Sequence, residues 1–177
     1  DAPDGFVFHH VNAYEKDSNI ILDSIFYDDF PSVGPDENFR DIDFDKYPEG
    51  NLKRSIIDLK EGTSKLETLS SQCCEFATVN PKLLGLKASY SWMACTDKKI
   101  GNAPLQAIKK INLITKEEIS WSAAPSGFVS EPIMVPSQSS NKEDEGYLFI
   151  LLWNGSRRGS DLVILDAEDL KELAIYE

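Results

Sequence analysis

The sequence predicts an all-β protein, and three observations predict it. Its apolar runs are short, they are rich in β-branched and aromatic residues, and turn residues separate them at fairly regular spacing. Helical character is confined to one turn's worth of chain, Ala167 to Glu172. A sandwich, a barrel or a propeller would each satisfy this pattern, and the pattern alone does not choose among them. No clean internal repeat is visible, although divergent propeller blades often hide theirs.

Phe6 to Ala13 and Asn19 to Tyr27 read as two strands joined around Lys16–Asp17–Ser18. Asp28 to Gly50 is acidic and rich in Pro and Gly, which predicts a long loop. Leu52 to Leu59 and Lys65 to Leu69 form a hairpin around Glu61–Gly62. Strands follow at Cys73 to Val79, Ser89 to Cys95, Ala107 to Ile114 and Glu117 to Trp121. Glu131 to Pro136 is a short strand with prolines at its margins. Tyr147 to Trp153 and Asp161 to Leu165 are strongly apolar, and Asn154–Gly155 opens the turn between them. Leu173 to Tyr176 is a last strand, cut short. Strand-like sequence at both ends suggests a piece of something larger.

The chain has 177 residues, 41% of them hydrophobic, enough for a core. No run approaches the roughly 20 apolar residues of a membrane span. The acidic start, Asp1 to Gly5, does not resemble a signal peptide. The formal net charge of −12 disfavours nucleic acid, which requires clustered basic residues. It equally disfavours electrostatic docking on anionic lipid. Cys73, Cys74 and Cys95 are odd in number, and two are sequence neighbours. They read as small core residues in a reducing, cytoplasmic setting rather than as a disulfide framework.

Several motifs fail on their chemistry. Asp41, Asp43 and Asp45 imitate the start of a calcium loop, but Lys46 stands where Gly is needed and Leu52 where Glu is needed. No G-x-S-x-G elbow and no Gly-rich phosphate loop is present. Two groups of residues remain. His9 and His10 are adjacent within a strand, so regular β geometry points them to opposite faces. A strand histidine is more often a core or surface residue than a ligand. Glu75 and Glu131 sit among apolar residues, and carboxylates are seldom buried without a partner. Each either points outward from an edge strand or accepts the free ring N–H of a metal-bound histidine.

Phe8–His9–His10–Val11–Asn12–Ala13–Tyr14–Glu15 resembles the F-H-x-x-N-A-x-E signature of the carotenoid cleavage oxygenases. Cys73–Cys74–Glu75–Phe76 followed by Asn80–Pro81 resembles the family's E-F-P…N-P segment, with Ala77 in place of the proline. Ser130–Glu131–Pro132–Ile133 resembles its S/G-E-P-I/V-F, and Glu143 to Leu148 its E-D-D-G-x-L turn. Ser160 to Ala167 resembles its S-x-L-V-I-L-D-A strand. Gly101 to Ala107 resembles the bacterial apocarotenoid-cleaving branch. The matches follow family order and cover nearly the whole chain.

The resemblance implies part of a seven-bladed β-propeller holding a non-haem Fe(II) on its axis by four histidines. Of those, His9 is the one carried here, and His10 falls on a variable position. Glu75 and Glu131 match two of the three glutamates that stand behind the family's histidines. Phe8 matches a position beside the substrate tunnel, with ordinary core packing as the alternative. The implied function is dioxygenase cleavage of a carotenoid or apocarotenoid double bond by O2, giving aldehydes. Residues 1–177 would be a central-to-C-terminal segment lacking the first blades and the final strand, and inactive alone. Any peripheral membrane contact would come from parts of the enzyme outside the chain. A metal-free propeller module without catalytic activity is the alternative function.

These readings carry geometric expectations. His9 should face the axis, and His10 the blade packing or the neighbouring sheet. Glu75 and Glu131 should converge on the side of His9, one of them within hydrogen-bond reach of its ring or of the space left by an absent histidine, and each should look unsatisfied without the partner histidines.

Overall fold

Each stretch read as a hairpin builds the next part of an antiparallel sheet, and three sheets result. The computed structural model describes residues 3–35, 37–38 and 40–177. The predicted loop over residues 28–50 includes positions 36 and 39, which lie outside the described residues. The first sheet runs β1 (Phe6–Lys16), β2 (Asn19–Tyr27), β3 (Asn51–Asp58), β4 (Thr63–Ser70). The second runs β5 (Cys74–Thr78), β6 (Tyr90–Thr96), β7 (Leu105–Asn112), β8 (Glu118–Ser122). The third runs β10 (Ile133–Pro136), β11 (Gly146–Asn154), β12 (Gly159–Asp166), β13 (Glu172–Tyr176), with β9 (Gly127–Val129) also paired to β11. Consecutive meanders of four strands are propeller blades.

The middle blade is covered on both sides, and β6 shows why its sequence permits this. Met93 and Cys95 face the first blade, where Val11, Ile25, Leu52 and Leu69 complete a core. Trp92 and Ala94 face the third, meeting Leu148, Ile150, Val163 and Leu165. Alternate residues thus serve alternate cores, and all are apolar. Each fully buried Leu, Ile, Val or Met among them contributes about 1.5–3 kcal/mol of transfer free energy. β11 alternates the other way: Leu148, Ile150 and Leu152 are buried, while Tyr147, Leu151 and Trp153 are exposed.

Polar groups latch the blades. Glu143 of the E-D-E-G turn accepts the backbone N–H groups of Ser89 and Tyr90 at 2.6 and 2.8 Å. Its neighbour Asp144 accepts from Lys110 at 2.7 Å. Trp92 Nε1 donates to the carbonyl of Ala167 at 2.9 Å. Within the first blade, Arg54 grips Asp23 with two bonds of 2.7 and 2.8 Å. The three cysteines are buried and unpaired. Burial pushes the Cys73 thiol up to about 11 and that of Cys95 up to about 12.

Residues 167–169 form a single turn closed by Leu170 N on the Asp166 carbonyl and Glu168 N on its carboxylate, and Glu172 already belongs to β13. β9 was not read from sequence, since Gly127–Val129 is too short to show a period. Among the described residues no helix is long and apolar enough to cross a membrane.

Candidate metal-binding site

The chemistry-bearing residues lie where the first strand of each blade is irregular. In β1, Val7 pairs with Phe26 and His10 with Ser24, so Phe8 and His9 together oppose Ile25 alone. A second extra residue, Val11, follows at once. In β5, Glu75 pairs with Ala94 and Thr78 with Trp92, leaving Phe76 and Ala77 against Met93. In the third blade, Val129 pairs with Leu152 and Ile133 with Phe149. Ser130, Glu131 and Pro132 therefore oppose only two residues. Bulges re-aim side chains that regular pleating would alternate.

The bulges in β1 and β5 bring His9 and Glu75 together. His9 Nδ1 donates to Glu75 Oε2 at 2.7 Å. A carboxylate can only accept, so Nδ1 carries a proton, and a neutral ring in that tautomer has its lone pair on Nε2. Nε2 has no partner among the described residues, and the His9 side chain is 49% exposed. Glu75 is buried, and its Oε2 also accepts from Phe76 N at 2.6 Å. Its Oε1 accepts from the Tyr27 hydroxyl at 3.1 Å. Phe76 holds a positive φ of 56°, strained for a bulky side chain. Burial first, and the Glu75 charge second, push the Tyr27 phenol far above its ordinary range, so it remains a donor.

Aromatic rings surround this pair. Phe8 packs edge-on against Phe6 at 4.7 Å and Tyr27 at 5.4 Å between centroids. Phe30 meets Phe6 at 4.8 Å, and Phe76 lies 5.2 Å from the His9 ring. Phe8 remains 47% exposed, which core packing would not leave. Asn12 lies outside this cluster, although it belongs to the same octet. Its amide donates to the carbonyls of Leu83 and Leu86 and accepts from Gly85 N, clamping the loop that follows β5.

The sequence-predicted residues thus divide. His9, Glu75 and Phe8 meet. Glu131 does not join them by any hydrogen bond: its side chain is exposed and without a partner among the described residues. Glu75 is the glutamate within hydrogen-bond reach of the His9 ring, as expected; it is not unsatisfied, because β1, β2 and β5 each supply it a donor. His10 was expected inside the blade and is exposed, bonded to Ser24 Oγ at 2.8 Å. Sequence reasoning missed Tyr27, Phe76 and Phe30. Extending the hairpin register from Lys16 opposite Asn19 pairs Phe6 with Asp29; the two bulges bring Tyr27 there instead.

A metal fits His9 as one ligand. Imidazole with its second nitrogen tied to a carboxylate is the usual donor arrangement at protein-bound metals. Among the described residues no group of three or more His, Cys, Asp or Glu could hold an ion, so His9 would act with ligands from elsewhere.

The sequence and the fold have known counterparts. Over 171 residues the chain is 44% identical to the apocarotenoid-15,15'-oxygenase of Synechocystis, covering 97% of this chain and 35% of that protein. It is 29% identical to lignostilbene-alpha,beta-dioxygenase isozyme III of Sphingomonas paucimobilis, over 94% of this chain and 36% of that one. The crystal structure of cobalt-substituted Synechocystis ACO superposes with a TM-score of 0.94 at 42% identity, covering 97% of this chain and 36% of that one. The chain therefore spans about a third of the length of the relatives it matches. The family model described as Retinal pigment epithelial membrane protein matches residues 1–177, and the chain belongs to that family.

Proposed function

We propose that the protein carrying this chain is an iron(II)-dependent dioxygenase that cleaves a carbon–carbon double bond of a carotenoid or apocarotenoid, giving aldehydes. One observation carries the reading: His9 Nδ1 is held by a buried carboxylate while Nε2 is left open inside an aromatic cluster. The named activity of the 44%-identical Synechocystis relative supports the substrate class, and its cobalt-substituted form supports a metal.

In this reading His9 Nε2 contributes one of the iron's ligands. Glu75 orients the ring, raises its basicity and offsets part of the metal's charge. Glu131, exposed and unpartnered here, would serve a ligand histidine outside this chain. Phe8, Phe30 and Phe76 offer apolar walls to a polyene and keep water from it. Bound iron supplies the O2 chemistry that these side chains lack.

Product analysis tests this. Iron-loaded full-length protein should consume O2 and convert one member of a carotenoid and apocarotenoid panel into two carbonyl fragments. A full-length protein that binds no iron and leaves every polyene intact would support the metal-free module instead.

A further inference from the structure

The support of Glu75 extends one layer further than a ligand and its carboxylate. Tyr27 closes β2, and its hydroxyl is the one contact made to Glu75 Oε1 among the described residues. The phenol itself has little freedom. Phe8 stands edge-on against it, and the residue is buried. On its far side lies Gly50, where an added Cβ would come within 2.7 Å of both Tyr27 Cζ and its hydroxyl. That Cβ would also meet the Cys74 carbonyl at 2.7 Å. Gly50 cannot retreat, because its own carbonyl accepts the N–H of Cys74 at 2.8 Å, one residue before Glu75.

We propose that Tyr27, seated in the space left by Gly50, is a positioning residue for His9 that acts through Glu75. This rests on the reading of His9 as an iron ligand. A carboxylate held at one oxygen can rotate about its last bond. Held at both, by Tyr27 on Oε1 and by His9 and Phe76 on Oε2, its plane is fixed. The His9 ring then keeps its tautomer and the direction of Nε2. Gly50 is required for steric room rather than for an unusual φ, so even the smallest added side chain should dislodge the hydroxyl.

Wild type, Tyr27→Phe, Gly50→Ala and the double variant are compared in the full-length protein loaded with Fe(II) or Co(II). Metal loss to excess chelator should be about 10-fold faster in Tyr27→Phe, the low end of what outer partners of metal ligands contribute. Gly50→Ala should match it, and the double variant should add little, because both changes remove the same bond. In the Co(II) protein, the paramagnetically shifted, exchangeable imidazole N–H resonance of a ligand histidine should exchange faster with solvent in Tyr27→Phe. A purely structural tyrosine would lower the melting temperature without moving that proton. Wild-type metal loss and an unmoved proton in Tyr27→Phe, with His9→Ala losing metal, would overturn the positioning role alone. Metal retained undiminished in His9→Ala would overturn the site reading and this role together.

Discussion

The pairing of β11 with β12 and the start of β1 follow opposite rules. β11 and β12 match from Tyr147 opposite Asp166 to Asn154 opposite Gly159 without a break, and burial alternates residue by residue along β11. β1 breaks register twice between Val7 and Asn12, where the motif octet lies. The first region spends its sequence on packing, and period two describes it. The second spends two extra residues on aim, and period two misleads there. Regular strands build the blades, and bulges place the chemistry.

Leu148→Ala is the strongest test of the regular region. Leu148 is fully buried between the second and third blades, so its truncation should cost about 2–5 kcal/mol in chemical denaturation. Iron per folded molecule should stay unchanged, and a parallel loss of iron would erase the proposed division of labour. Glu75→Gln should do the reverse. The melting temperature should move modestly, while iron affinity measured by chelator competition should fall about 10–100-fold.

The cysteines sharpen the comparison from the packing side. Cys73 is raised from 9.0 to about 11 and Cys95 from 9.0 to about 12, both mainly by burial. Raised pKa values favour the protonated thiol in the folded state. The stability they contribute is therefore complete below about pH 9 and is lost as pH rises towards 11 and 12. At pH 8 a thiol reagent should find the native cysteines silent and react on unfolding; fast native reaction would place them outside the core. His10→Ala carries the smallest effect. His10 is exposed with one bond to Ser24, so stability should change by no more than about 0.5 kcal/mol.

What the sequence made legible follows the same boundary. The strands β2, β3, β11 and β12 were readable to within a residue or two, because alternation and turn residues agree there. Glu75 and His9 were named from the motif, but their hydrogen bond depends on bulges that no periodicity reports. Tyr27 was invisible for the same reason, since a two-residue slip decides what faces Phe6. Glu131 was equally nameable, yet its side chain is exposed and makes no hydrogen bond among the described residues. The helical turn read over residues 167–172 is one turn that ends at Leu170, whose positive φ of 61° stops it before β13.

The most direct measurement is the iron content of full-length wild type, His9→Ala and His10→Ala, purified identically and checked for folding by circular dichroism. Occupancy should be full in wild type and His10→Ala and almost completely lost in His9→Ala. Iron retained in His9→Ala, or lost in His10→Ala, would contradict this reading of His9.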